Sequence, residues 1–246
     1  MKCALLIFVA AVMQASAVPA RQAGPVPTRE TAFLEAKLSE FEVHKQTLLE
    51  ALLKLARGPA PFGFGFEKIL KEKLSDPEIP DPALSLELQN KSVREILDAL
   101  CQADQRYTWS VDGTTVDVYP RAVTSDKSYL LNRELPKLEL KNATDVQDGL
   151  LAISRQLPPP KEQIAIAQAG GADPYPPDPW TVTFENVTVR KVVNRLTEHG
   201  GRCGYWIFGG ARDFRAFGFF NTYLCDKTPP SWFPKRARPS GAYPQH

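Results

Sequence analysis

The side chains best suited to catalysis or metal binding are few in this chain and lie far apart. It has 246 residues and three histidines, His44, His199 and His246. His199 and Cys203 are spaced like two metal ligands, but a closed zinc site needs four, and the flanking sequence supplies no second pair. We expect His199 instead to help end a helix before Gly200, where a cation suits the exposed carbonyl groups.

Nucleophilic catalysis needs a Ser or Cys beside a base, and the sequence does not indicate such a pair. The Gly-x-Ser-x-Gly turn of hydrolases is missing, and residues 209–212 lack the Lys and the helix of a phosphate-binding loop. Glu185 and Asp213 could form a pair of carboxylates, or they could be solvated surface groups. We predict a protein that is not an enzyme and needs no metal or cofactor. A hydrolase with a scattered site that uses His44 and His199 is the alternative.

Residues 214–220 contain more aromatic side chains than a single strand needs. One interpretation is packing across a sheet in the core. The other is a sticky edge for a partner strand, since edge pairing binds through main-chain hydrogen bonds and aromatics beside Arg suit an interface. Our candidate partner-binding residues are Phe214, Phe217, Phe219, Phe220 and Trp206. The same side chains could form a platform for a glycan or peptidoglycan, which is a further alternative.

The start of the chain predicts export. One Lys, an apolar run over residues 3–12 and a small-x-small site at residues 15–17 form a secretory signal peptide, which we place at residues 1–20. No later segment approaches the roughly 20 apolar residues of a transmembrane helix. The formal net charge of +2 gives no case for nucleic-acid binding. We expect a periplasmic or secreted protein.

Three cysteines follow the expected cleavage site, and an oxidising compartment favours one disulfide among them. Cys203 and Cys225 flank the aromatic segment and are the preferred pair. Cys101 follows Leu100 on a predicted helix and is expected to pack as a small buried hydrophobe.

The chain contains four copies of one short pattern. Residues 86–100 align with residues 182–196 without a gap, residues 41–55 fit the same frame, and residues 138–153 fit with one insertion. Each copy begins with alternating apolar and polar residues, typical of a strand, and continues with apolar residues at the spacing of a one-faced helix. Each copy therefore predicts a strand followed by a helix.

A Ser or Thr stands between strand and helix in every copy, where its side chain can cap the helix. Thr47, Ser92 and Thr144 are followed three residues later by Glu or Gln, which predicts a capping box, whereas Thr188 is followed by Lys and should cap less well. Three copies also read Asn-x-Ser/Thr at Asn90, Asn142 and Asn186. We interpret each Asn as a turn residue, with glycosylation as the alternative.

A strand should return after each helix, at residues 61–66, 163–167 and 204–208, and as a hairpin over residues 106–119 with an Asp-Gly turn. Two helices on one small sheet can bury their apolar faces. The sequence thus predicts an α/β (α+β) fold of two tandem two-layer domains, at residues 28–121 and 128–225. Residues 157–179 are predicted to be a long Pro-rich loop, and residues 226–246 a flexible tail.

The pattern resembles the STN domain, the short N-terminal domain of secretins and TonB-dependent receptors. The resemblance is carried by LSLELQNKSVREILDALCQADQRYTWSVDGTTVDVYP and, less fully, by WTVTFENVTVRKVVNRLTEHGGRCGYWIF. It implies a protein of the bacterial envelope that binds other envelope proteins, such as secretin or TonB-system components. The chain departs from that family because it has two modules and no barrel or secretin portion. We expect a non-enzymatic adaptor.

Overall fold

The computed structural model describes residues 32–143, 146–157, 164–169, 179–199, 204–212 and 214–220. The predicted signal peptide, the predicted tail and most of the predicted Pro-rich loop lie outside these residues. The fold contains both helices and strands, which confirms the predicted α+β class. All four copies of the sequence pattern form a strand that leads into a helix.

The first half of the chain contains two of these copies. The first copy comprises β1 (Lys37–Gln46), α1 (Leu48–Ala56) and β2 (Gly63–Glu67). The second comprises β3 (Leu84–Ser92), α2 (Val93–Ala103) and a hairpin of β4 (Tyr107–Asp112) and β5 (Thr115–Pro120). Asp112 pairs with Thr115, so the hairpin loop is Gly113-Thr114 and not Asp112-Gly113.

The second half repeats this order. Its first copy comprises β6 (Glu134–Ala143), α3 (Val146–Gln156) and β7 (Ile164–Ala169). Its second comprises β8 (Trp180–Thr188), α4 (Val189–His199) and a hairpin of β9 (Tyr205–Gly210) and β10 (Arg215–Phe220). None of the described helices has both the length and the apolar character needed to cross a membrane.

The junction between strand and helix has the predicted chemistry. Thr47 and Ser92 each form a complete capping box, with Glu50 and Glu95 respectively. Thr188 accepts only the long bond from the Lys191 amide, at 3.4 Å. Thr144 lies outside the described residues.

The three sequon asparagines all adopt the left-handed conformation, with φ of 53°, 52° and 49° at Asn90, Asn142 and Asn186. This confirms the interpretation of these residues as turn residues, since Asn tolerates that region better than most side chains. Lys45 occupies the same place in the first copy, with φ of 49°. All three asparagines are exposed, and glycosylation stays an open alternative.

The two predicted domains do not have separate sheets. One six-stranded sheet has the order β4-β5-β2-β9-β10-β7, so three strands from each half lie side by side. The halves meet where β2 pairs with β9 in parallel. The prediction of two separate two-layer domains is therefore wrong. In separate domains β2 and β9 would each be an edge strand, but here they pair with each other and make one sheet.

The molecule is built in five layers. The pair β1-β3 covers α1 and α2, the pair β6-β8 covers α3 and α4, and the six-stranded sheet lies between the two helix pairs. Phe64, Phe66 and Tyr205 belong to the hydrophobic cluster of the first helix pair, whereas Trp206 and Phe208 belong to that of the second. Because neighbouring residues of a strand point to opposite faces, the two helix pairs lie on opposite faces of the shared sheet.

Candidate functional site

The halves approach most closely where β2 meets β9. Gly65 is the register partner of Trp206 in this parallel pair. A Cβ atom at Gly65 would lie 2.2 Å from Cζ2 of Trp206, a distance that no side chain tolerates. Glycine at position 65 therefore allows the indole to lie under the first half of the chain.

Trp206 is held by a buried polar chain that crosses the junction. Its Nε1 donates to Oδ1 of Asn194 at 2.9 Å, and Nδ2 of Asn194 donates to Oδ2 of Asp117 at 2.9 Å. Asn194 lies on α4 and Asp117 on β5, and both are buried. Burial raises the pKa of Asp117 well above its ordinary value. The contact thus joins the second-half helix to the first-half hairpin.

A buried ion pair crosses the same junction. Arg190, on α4, donates from Nε and from Nη2 to the two carboxylate oxygens of Glu67, on β2, and Glu67 is fully buried. Arg190 also donates to Oδ1 of Asn132 at 2.6 Å and lies 4.5 Å from the ring centroid of Tyr119. A bidentate pair of this kind fixes the relative position of two elements more than it adds stability.

Three polar side chains of α4 therefore form one stripe toward the first half. Arg190, Asn194 and Glu198 are four residues apart, so they share one helix face. Glu198 accepts from the hydroxyl groups of Thr114 and Thr115 at 3.0 Å. Through this stripe, α4 overhangs β9 and covers the neighbouring strands β2 and β5.

The same stripe occurs on α2, at a distance of 96 positions along the chain. Arg94, Asp98 and Gln102 correspond to Arg190, Asn194 and Glu198 by the ungapped alignment of the repeats. On α2, however, all three residues are exposed. The side chain of Arg94 is 46% accessible, whereas that of Arg190 is 13% accessible.

The indole at this second position has the same partner. Trp109, on β4, donates from Nε1 to Oδ1 of Asp98 at 2.8 Å, as Trp206 does to Asn194. Arg94 donates to Glu35 at 3.0 Å and lies 5.9 Å from the ring centroid of Trp109. Glu35 corresponds in position to Asn132. The residue after each of them, Ala36 or Arg133, accepts from the first amide of α2 or α4 respectively.

The difference between the two positions is what lies beside them. Trp206 has β2 next to it, but β4 is the end of the six-stranded sheet, so no described strand lies beyond Trp109. The main-chain carbonyl of Arg106 accepts from the main-chain amide of Arg121. In an antiparallel pair, every second residue of a strand bonds to its partner strand in this way, and the residues between them point outward. The main-chain groups of Trp109 and Val111 consequently point away from β5. We define the β4 edge as β4 together with Arg94, Asp98 and Gln102.

Two of the five residues of the predicted aromatic surface belong to the core. Trp206 and Phe217 are fully buried, and each packs within the second hydrophobic cluster. Their side chains are unavailable to a partner, and the alternative of core packing is confirmed for these two. Phe214 is half-buried. Phe219 and Phe220 lie on β10, and their side chains are outside the described part of the structure.

The cysteine predictions have different outcomes. Cys101 is a buried free thiol, as predicted, and burial raises its pKa to about 12. Cys203 and Cys225 lie outside the described residues, so their disulfide stays a prediction.

The predicted catalytic candidates are not brought together. The side chain of His44 is exposed on β1, where it bonds to Glu42. Possible ligand atoms of Glu42, His44 and Glu87 lie within 4.8 Å of one another, a surface arrangement that is common without an ion. Glu185 is exposed on β8, whereas Asp213 and the side chain of His199 are outside the described residues.

A cleft of about 190 Å³ opens where the halves meet, lined by residues that include Lys68, Tyr129 and Arg212. Pockets for small organic ligands typically measure about 300–1,000 Å³. The cleft does not support a small-molecule site.

Sequence reasoning missed the β4 edge although its signal was present. The repeat alignment already pairs Arg94 with Arg190 and Asp98 with Asn194. The turn between helix and strand is one residue longer in the second half, so Trp109 and Trp206 do not align when the repeats are compared without a gap. Allowing one insertion there would have aligned the two indoles.

Comparisons of the chain with protein-family models, with curated proteins and with solved structures found no match.

Proposed function

We propose that this chain is a non-enzymatic protein-binding module of the bacterial envelope that takes a strand of its partner onto the β4 edge. One observation carries the proposal. The second half holds β2 with an indole, a polar helix stripe and a guanidinium, and the first half has the corresponding groups at the β4 edge, where no described strand lies beside them. Strand addition of this kind supplies affinity through main-chain hydrogen bonds and specificity through side chains at alternate positions.

The chemistry of the edge fits a polypeptide better than a small ligand. Trp109 and Val111 offer outward main-chain groups, Trp109 offers a partly exposed indole, and Arg94 and Asp98 offer both charges beside it. Arg and Trp are enriched among the residues that dominate protein interfaces. The polar stripe of α2 overhangs this edge as the stripe of α4 overhangs β2.

The envelope location is part of the proposal and comes from the sequence. The signal-peptide pattern at residues 1–20 and the resemblance to the STN domain both favour a periplasmic or secreted protein. Secretin or TonB-system components are the partners that the resemblance suggests. The glycan or peptidoglycan alternative loses support, because its platform included Trp206 and Phe217.

The proposal is tested by photo-crosslinking in the expressing cells. A photoreactive phenylalanine replaces Ser110 on β4 in one strain and Thr183, on the exposed face of β8, in another. We expect a protein adduct from position 110 that is lost when Trp109→Ala is added, and none from position 183. Equal labelling at both positions, or no adduct at position 110, would refute strand docking at this edge.

A further inference from the structure

The two end strands of the six-stranded sheet correspond, by the internal repeat, to the two strands that join its halves. Within each half the strand order is the same: the first hairpin strand, the second hairpin strand, and then the strand that follows the first helix of that half. β4 therefore corresponds to β9, and β7 corresponds to β2. The internal junction is a contact between a β2-type strand and a β9-type strand, and one of each type, β7 and β4, is left at the ends.

We propose that a second copy of this chain docks on the β4 edge through its β7, so that copies associate head to tail. This inference rests on the proposed strand-docking role of the β4 edge and names its partner. The internal β2-β9 contact serves as the template, and its register can be transferred strand by strand.

The register follows from the pairing within each half. Trp109 pairs with Val118 and Trp206 with Phe219, so Asp117 corresponds to Gly218. Asp117 in turn pairs with Gly65, and Gly218 pairs with Ala167. Ala167 of one copy would thus face Trp109 of the next, as Gly65 faces Trp206.

Residue size agrees with this register. The position that faces the indole is Gly in the internal junction and Ala at the end of the sheet, the two smallest residues. Trp206 is buried and leaves no room for a Cβ atom at position 65, whereas Trp109 is only partly buried.

The transferred contact needs no charge from the second copy, because each acid of the junction has its counterpart on the side of the β4 edge. In the internal junction, Arg190 receives its carboxylate from Glu67 of the other half and an amide from Asn132 of its own half. At the β4 edge, Arg94 receives a carboxylate from Glu35 of its own half. The counterpart of Glu67 on β7 is the uncharged Ala169.

The second acid of the junction follows the same rule. The amide of Asn194 faces the carboxylate of Asp117 across the internal contact. At the β4 edge the carboxylate is Asp98, and the residue that it would face is Gly218. Neither Glu35 nor Asp98 would therefore face another acid.

Association of this kind joins two different edges, so each added copy leaves one edge of each type. The expected product is a concentration-dependent series of oligomers, and a closed dimer is not expected. The parallel internal pair, repeated at every contact, continues one sheet through successive copies.

The inference is tested by disulfide trapping between full-length chains that carry different tags. One chain carries Ser110→Cys and the other Gln168→Cys, which are register partners in the transferred contact and so lie within the usual Cα separation of a disulfide. We expect a mixed disulfide between them, and at least tenfold less when Thr183→Cys replaces Ser110→Cys. Equal trapping by the two pairs would overturn the inference.

Sedimentation of the purified chain gives a second measurement. Val111→Pro removes an outward main-chain donor, whereas Val111→Ala shortens the same side chain and keeps the donor. We expect the mean mass to rise with concentration in the parent and in Val111→Ala, and association to weaken at least tenfold in Val111→Pro. A parent chain that stays monomeric at high concentration overturns the inference.

The two proposals fail in different ways. An adduct at position 110 in cells that contains a different protein, with no mixed disulfide between purified chains, supports strand docking and overturns the second copy as its partner. An adduct that contains this chain supports both. Loss of every adduct at position 110 removes both.

Discussion

Gly65 and Trp206 lie directly across from each other in the parallel pair of β2 and β9, and the indole fills the space that a side chain at position 65 would occupy. This close approach is one of several contacts that join the two halves of the molecule.

Gly65→Ala should destabilise the protein by about 1–3 kcal/mol, the usual cost of forcing an extra methyl group into a packed core. The matched control is Gly209→Ala, since a Cβ atom there meets only the flexible side chain of Lys68, at 3.4 Å. Urea denaturation of both variants measures the difference. Equal stability of the two would show that β2 does not lie on Trp206.

Asp117 should make the protein less stable as pH rises. Its pKa is raised in the folded protein by burial, so its contribution is fully present below the ordinary Asp value of about 3.9 and is lost as pH rises through the folded value. Asp117→Asn keeps an acceptor for Asn194 and removes the titration. The free energy of unfolding of Asp117→Asn, relative to that of the parent, should therefore increase as the pH rises above about 4. A constant difference across that range contradicts the prediction.

Lys45→Asn should stabilise the protein by about 1 kcal/mol. Lys45 has φ of 49°, a conformation that costs most residues roughly 1–2 kcal/mol and Asn less, and the other three copies have Asn at this position. Lys45→Ala is the control, because it removes the same side chain without the preference for a left-handed turn. A thermal midpoint that rises equally in both variants would assign the effect to the lost charge.

Cys101 should react only when the protein opens. Its thiol is buried and its pKa is raised to about 12, so the reactive thiolate is scarce in the folded state. In a chain with Cys203 and Cys225 replaced by Ser, labelling with a thiol reagent should require denaturant and follow the unfolding transition. Rapid labelling of the native protein would mean that α2 is not packed as described.

The stabilisation of the start of α2 by Glu95 should be lost in strong acid. The bond from Lys91, followed by those from the amide and the hydroxyl of Ser92, lowers its pKa to about 2. Its contribution is present above the ordinary Glu value of about 4.3 and is lost as pH falls through about 2. Titration followed by NMR should give this low pKa, and Lys91→Ala should raise it. A pKa near 4.3 in the parent chain would contradict this set of bonds to Glu95.

The periodic features of the fold could be predicted from the sequence because each rests on local chemistry. Thr47 and Ser92 cap their helices, and the sequon asparagines turn the chain, within a few residues of where the pattern placed them. Each helix needs one apolar face, and the spacing of residues such as Val93 and Leu97 shows where that face lies.

The joined sheet could not be predicted in the same way. The sequence of residues 63–67 does not indicate whether β2 is an edge strand or pairs with a strand of the other half. The roles of Gly65 and Glu67 depend on contacts with Trp206 and Arg190, which are distant in sequence. For the same reason the sequence leaves both core packing and a binding surface open for the aromatic residues of β9 and β10, and the structure places Trp206 and Phe217 in the core.

The opposite placement of the two helix pairs also bears on how the chain folds. Severed between residues 122 and 127, the first fragment would bring the carboxylates of Glu67 and Asp117 into water, and the second would lose the strand that shelters its indole. We therefore expect neither fragment to fold stably by itself. The two halves share one plan and one sheet, and we expect them to unfold together.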